Sequence, residues 1–277
     1  MIRRWASVLV CFVLCAVLLT GTAGAEAELR GYSQEDGYVY VTLGQYPQVI
    51  DGGSPDDKGQ TWQWRVLHQS FNKNKENKGQ KYDPGEVEPT PILWRVLRED
   101  EETFFLCSEY ILFAAPMDTD RGTYSKTGAD FGNTELCRII NSEFAQTAFT
   151  EAELDMFEER ETFGKIFLLS HQELKDKSLG FGTNKARKAW ATEYAIRVTD
   201  AFVYQTSMGS SSPYWTRTQR KERKNGTLCT KQDGSVGYYD CTNPEEGIRP
   251  AVDLKKGSYE ITGGSGSKED PYRLEAR

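Results

Sequence analysis

The chain has 277 residues, 34 Lys and Arg against 41 Asp and Glu, and a formal net charge of −7 at neutral pH. That acidic balance argues against nucleic acid as the main partner, because phosphate backbones need a basic face. With 38% hydrophobic and 12% aromatic residues it has the composition of a packed domain, not of a disordered chain.

The first segment reads as a leader. Arg3 and Arg4 precede an apolar run from Ala6 to Leu19, and Ala23-Gly24-Ala25 is a small-x-small cleavage site. The run is shorter than the ~20 residues that span a bilayer. The expectation is a signal peptide over 1–25, a secreted or extracytoplasmic chain, and no stable membrane insertion after cleavage. A short segment, 26–37, then leads into a single globular domain over 38–277.

Tyr38–Leu43 alternates as a strand does, and Gly44-Gln45-Tyr46-Pro47 reads as its turn. A second strand is expected at Trp62–Leu67. The polar, proline-bearing stretch 72–91 reads as a surface loop or linker insertion. Ile92–Leu97 is the next strand, and its Trp94-Arg95-Val96-Leu97 repeats Trp64-Arg65-Val66-Leu67. Two copies are too few for a solenoid, so a duplicated strand is the more economical reading. Phe104–Leu112 reads as a strand and Pro116–Asn133 as a long loop.

Leu136, Ile139, Ile140 and Phe144 fall at helical spacing, with Asn133 or Thr134 as cap. Thr150-x-x-Glu153 and Ser170-x-x-Glu173 are capping boxes that each start a short helix, on either side of a buried strand at Ile166–Leu169. Ala186–Val198 reads as a further helix. Strands are expected at Tyr214–Thr218, Val236–Tyr239 and Arg249–Leu254, followed by a hairpin, Tyr259–Leu274, that turns at Gly263–Gly266. Short antiparallel strands around a helical middle make an α+β plan.

Four cysteines follow the leader: Cys107, Cys137, Cys229 and Cys241. The turn-rich stretch Lys231–Ser235 between the last two predicts a Cys229–Cys241 disulfide across a hairpin; Cys107 and Cys137 read as buried thiols or a second pair. No C-x-x-C spacing points to redox or zinc chemistry.

The ordered set Leu43-Gly44-x-Tyr46-Pro47-Gln48, Trp94-Arg95-Val96-Leu97, Leu136–Phe144, Phe167-Leu168-Leu169-Ser170, Tyr214-Trp215-x-Arg217 and Gly247-Ile248-Arg249-Pro250-Ala251 resembles an uncharacterised family of secreted bacterial domains. The tail Gly266-Ser267-x-x-Asp270-Pro271-Tyr272 is similar to that of many surface proteins. More distantly, the pattern resembles the C-type-lectin-like fold shared with sulfatase-modifying enzymes. The resemblance implies a lectin-like domain of no established activity. The chain departs from the family in its duplicated Trp-Arg-Val-Leu and in Cys137-Arg138-Ile139-Ile140-Asn141, where a tryptophan is usual.

No constellation announces a reaction. The two histidines, His68 and His171, are far apart, and Ser170 beside His171 is better read as a helix cap than as a nucleophile. Asp118-x-Asp120-x-Gly122 begins like a calcium loop but lacks its later ligands and closing Glu, so these aspartates read rather as turn formers; no cofactor is expected, calcium being the one candidate. Arg217 and Arg249 read as paired, partly buried structural arginines. Arg217, Arg220, Lys221, Arg223 and Lys224 form a basic patch suited to an anionic wall polymer or a partner protein, or simply a solvated loop. The expected function is non-catalytic recognition of a glycan or protein at the cell surface, with Asp118, Asp120, Tyr214, Trp215 and Arg217 as ligand-facing residues. Alternatives are a secreted enzyme, either a cysteine-dependent oxidase or a carboxylate hydrolase, and a purely structural envelope module.

Overall fold

A computed structural model describes residues 28–50, 64 and 65, 83, 85–127, 130–203 and 211–277. The leader, His68 and most of the 72–91 stretch lie outside the described residues. The strands gather into two sheets joined by short helices, an α+β architecture.

The larger sheet has seven strands in the order β11-β12-β1-β2-β3-β10-β5. They are β1 (Val39–Ile50), β2 (Val87–Glu99), β3 (Thr103–Ser108), β5 (Ile166–Leu168), β10 (Pro250–Lys255), β11 (Tyr259–Gly263) and β12 (Tyr272–Ala276). All neighbours run antiparallel except β1 and β12, which pair in parallel at Val41↔Tyr272 and Thr42↔Arg273. The smaller sheet has five strands in the order β4-β9-β6-β7-β8: β4 (Phe113–Ala114), β6 (Tyr214–Gln219), β7 (Gly226–Thr230), β8 (Val236–Asp240) and β9 (Gly247–Ile248).

Between β4 and β6 lie short helices: α1 (Arg121–Thr127), α2 (Glu135–Ile139), α3 (Ala145–Ala148), α4 (Glu151–Asp155), α5 (Asn184–Arg187) and α6 (Glu193–Arg197). A π-helical turn, Ile140–Phe144, joins α2 to α3, so the apolar run from Leu136 to Phe144 is helical throughout. Thr134, not Asn133, is its cap and accepts from the Cys137 amide. Both capping boxes form. Thr150 and Glu153 bond reciprocally, and Ser170 Oγ accepts from Glu173 N while Glu173 accepts from Ser170 N. No helix among the described residues is long and apolar enough to cross a membrane.

Several expectations are corrected. Gly44–Pro47 does not turn the chain: β1 runs through it on bulges, with Gly44 at φ +69° against the Phe149 ring. The last residues of the 72–91 stretch are not loop but the start of β2, and Pro89 and Pro91 are tolerated because β2 pairs there with β1 alone. Trp64 and Arg65, the described part of the supposed 62–67 strand, are helical. The 104–112 strand divides, with β3 ending at Ser108 and β4 starting at Phe113. The 186–198 helix also divides. Lys188 leaves helical geometry, Trp190 and Thr192 exchange backbone bonds with Ile111, and Thr192 caps a new helix.

The predicted Cys229–Cys241 disulfide is not present, and all four thiols are free and buried. The hairpin register explains it. Cys229 stands opposite Gly237, whereas Cys241 follows Asp240, the partner of Gly226. Cys241 lies four residues beyond Gly237, about 13 Å at the usual strand rise, beyond the reach of a disulfide.

Candidate functional site

The larger sheet carries an inner polar cluster. Register places Tyr40, Arg95, Cys107 and Ala251 in one row across β1, β2, β3 and β10. Arg95 forms a buried ion pair with Glu109, which also accepts from Lys268 Nζ at 3.0 Å. Burial opposes ionisation of Glu109, but the Arg95 guanidinium outweighs it and lowers the carboxyl to about 2. Arg249 is 1% exposed; its Nε donates to Ser108 O at 2.7 Å, and its guanidinium lies over the Tyr214 and Phe181 rings. The expected pairing holds for Arg217 but not for Arg249, which is fully buried and whose remaining nitrogens find no acceptor among the described residues.

Beside this cluster, arginines and phenylalanines alternate. Arg160 pairs with Asp253 and stands over Phe105, Phe163 and Phe167, with Arg217 over the last two. Arg217 is held by Glu173 through two bonds of 2.7 Å. It borders a cleft of about 350 Å³ with Asp130, Phe131, Phe163, Gln219 and Lys221.

Of the other predicted ligand residues, Asp118, Tyr214 and Trp215 are buried, and Asp120 is exposed but engaged in its own turn. Tyr214 and Trp215 are each 1% exposed. The Tyr214 hydroxyl donates to Arg187 O and Trp215 Nε1 to Ala115 O, so both are core side chains with satisfied polar ends. Asp118 is buried, and its carboxylate accepts from the amides of Asp120 and Glu135. Asp120 is exposed, accepts from Gly122 N and Thr123 Oγ1, and thereby starts α1. Both aspartates are turn formers. Among the described residues no group of three or more His, Cys, Asp or Glu side chains could hold a metal ion.

The arrangement with free chemistry lies one strand further on. β6, β7 and β8 form a meander, the loop Arg220–Asn225 joins the first two, and β8 is the edge of its sheet. Successive residues of β8 point to opposite faces. Tyr238 lies under two guanidinium groups, Arg220 at 3.6 Å and Arg223 at 5.1 Å from the ring centroid. Tyr239, on the other face, is the one exposed large hydrophobic side chain among the described residues. Asp240 accepts from Arg121 Nε at 2.9 Å and from Thr242. Burial works against its ionisation, but these bonds prevail and hold the carboxyl below the usual range. Ser125, Arg223, Lys224, Asn225, Tyr238, Tyr239 and Asp240 enclose a cleft of about 390 Å³. It offers an aromatic face, two cations and an amide, which suits non-covalent recognition.

Behind Tyr239 is an unusual acid. Glu246 is 1% exposed; Oε1 accepts from Asn243 at 3.1 Å and Oε2 has no partner among the described residues. Burial, then the Glu245 charge, pushes its carboxyl up to about 8. It is a protonated acid at neutral pH.

Sequence reading named the basic loop but not the tyrosines beside it. The available signal was the tandem Tyr238-Tyr239 at the end of a strand already read as one. Residues 101–256 match DUF6273, a domain of unknown function. The chain belongs to the DUF6273 family. That match runs from just before β3 to the end of β10 and contains the whole β6–β8 meander and both clefts. Membership of an uncharacterised family, expected from the motif order, holds to that extent; the Leu43–Gln48 and Trp94–Leu97 motifs lie outside the matched residues. No curated protein and no solved structure matches the chain.

Proposed function

We propose that this DUF6273 chain is an exported, non-catalytic recognition domain that binds a glycan at the cell surface. The observation that carries the reading is the β8-edge cleft. Its lining includes the exposed Tyr239 together with Arg223, Lys224 and Asn225, polar side chains at a surface rim with no ion pair among the described residues. An amphipathic ring flanked by hydrogen-bonding groups is what a sugar face requires. Export and a lectin-like ancestry belong to this proposal and rest on the leader pattern and the motif order. Against an oxidase, the four thiols are buried, and burial raises Cys229 well above the ordinary thiol range and Cys241 to about 11. The test is binding of the purified chain from residue 26 onward to a panel of glycans and cell-wall polymers, with Tyr239→Ala alongside. Saturable binding to one sugar class, weakened by that substitution, supports the reading; a blank panel overturns it.

A further inference from the structure

The cleft at the β8 edge is opposite in charge to the chain that carries it. The protein is net negative by 7, yet the charged lining of this cleft is Arg223, Lys224 and one carboxylate, Asp240. Asp240 is neutralised from outside, because Arg121 reaches over from α1 to its Oδ1 at 2.9 Å. A third cation stands behind. Arg220 is fixed by stacking on Tyr238 at 3.6 Å rather than by burial against an acid, and its one carboxylate contact among the described residues, Glu222 at 3.4 Å, is exposed. Its Nη1 is buried with no acceptor among the described residues, and Arg220 does not itself line the cleft.

We propose that the cleft binds the anionic group of an acidic saccharide, the carboxylate of a uronic acid or a phosphate ester, with the sugar ring laid on Tyr239. This rests on the recognition reading above and adds the ligand's charge. Arg223 and Lys224 contact the anion. Arg121 is a positioning residue: it keeps Asp240 from repelling the ligand and does not itself line the cleft.

The test uses the chain immobilised, with polygalacturonate, a poly(glycerol phosphate) polymer and neutral dextran as probes, each at low and high NaCl. The expected result is binding of an acidic polymer that weakens as salt screens it, with dextran inert. Binding of the uronate alone identifies a carboxylate ligand, and binding of the phosphate polymer alone a phosphate ester. The doubly reversed variant R223E/K224E, both positions being exposed, loses at least about tenfold in affinity. Arg121→Ala loses several-fold, and adding Asp240→Asn restores it, which a merely structural role for Arg121 would not allow. Unchanged melting curves confirm that the variants fold. Salt-independent binding of dextran as strong as that of the polyanions overturns the charge assignment while leaving glycan recognition standing. No binding to any of the three, given a blank glycan panel, overturns both. Polyanion binding indifferent to R223E/K224E places the anion elsewhere and also overturns the proposal.

Discussion

Replacing Glu246 by glutamine changes how stability depends on pH, and the size follows from the site. The carboxyl ionises near 4.5 in the unfolded chain and near 8 in the folded one. Below 4.5 both states hold the proton and the folded state suffers nothing. As pH rises from 4.5 to 8 the unfolded state releases its proton and the folded state does not, so stability falls by roughly 1.4 kcal/mol per pH unit. By pH 7 the loss is about 3 kcal/mol, and it levels off above 8 near 5 kcal/mol as an upper bound. Glutamine has nearly the same shape and no titration. It buries an amide with an unsatisfied donor in place of Oε2, a constant offset of about 1–3 kcal/mol that does not vary with pH. Urea unfolding of both chains at intervals from pH 4.5 to 8.5 therefore gives curves of different slope, the variant gaining about 3 kcal/mol relative to the native chain between pH 4.5 and 7. Parallel curves would refute the reasoning and mean that Glu246 is ionised in the fold.

Arg160→Ala removes the partner of buried Asp253 and the cation over three rings, which costs about 3 kcal/mol in urea unfolding; a loss under ~1 kcal/mol would show the pair to be dispensable. Gly44→Ala places a Cβ 2.4 Å from the Phe149 ring and 2.7 Å from Ala148 O at a positive φ, a destabilisation of about 2 kcal/mol or more; an unchanged midpoint would mean that β1 shifts freely there. In the chain from residue 26 onward, Cys107, Cys137, Cys229 and Cys241 stay unmodified by a thiol reagent near neutral pH until the fold is unfolded, then react as four. A native mass lower by one disulfide's hydrogens would contradict the free thiols. Calcium leaves the melting temperature unchanged, because the Asp118 and Asp120 oxygens already serve amides and Thr123; a chelator-sensitive melt would count against that assignment.

How far the sequence alone reaches depends on the kind of signal. Capping boxes are local, so Thr150/Glu153 and Ser170/Glu173 could be read directly and both form. Periodicity carried the helix from Leu136 and the C-terminal hairpin. Signals that need a partner strand were lost. Cys229 and Cys241 are near in sequence, but the hairpin register decides which residues face each other. The 186–198 run had the right apolar spacing, and backbone pairing with Ile111 overrode it. An aromatic pair on a strand looks the same in sequence whether it is covered or open, so Tyr214 and Trp215 read as ligand-facing although both are buried. Tyr238 and Tyr239, two strands away, lie on an edge strand, which no local pattern marks.

The order of the larger sheet bears on where this protein can be cut. The stretch that defines the family, 101–256, supplies β3, β10 and β5, while β11, β12, β1 and β2 come from the chain on either side of it. The two flanks meet each other where β1 pairs with β12. A fragment trimmed to the family boundaries would bare the β3 edge, Phe104-Phe105-Leu106-Cys107, as an unpaired apolar ribbon of the kind that recruits other chains into aggregates. During synthesis the same geometry delays completion: β1 emerges early and waits for a neighbour more than two hundred residues downstream. The stretch matched by the family model is smaller than the folded sheet, and soluble expression should track the sheet.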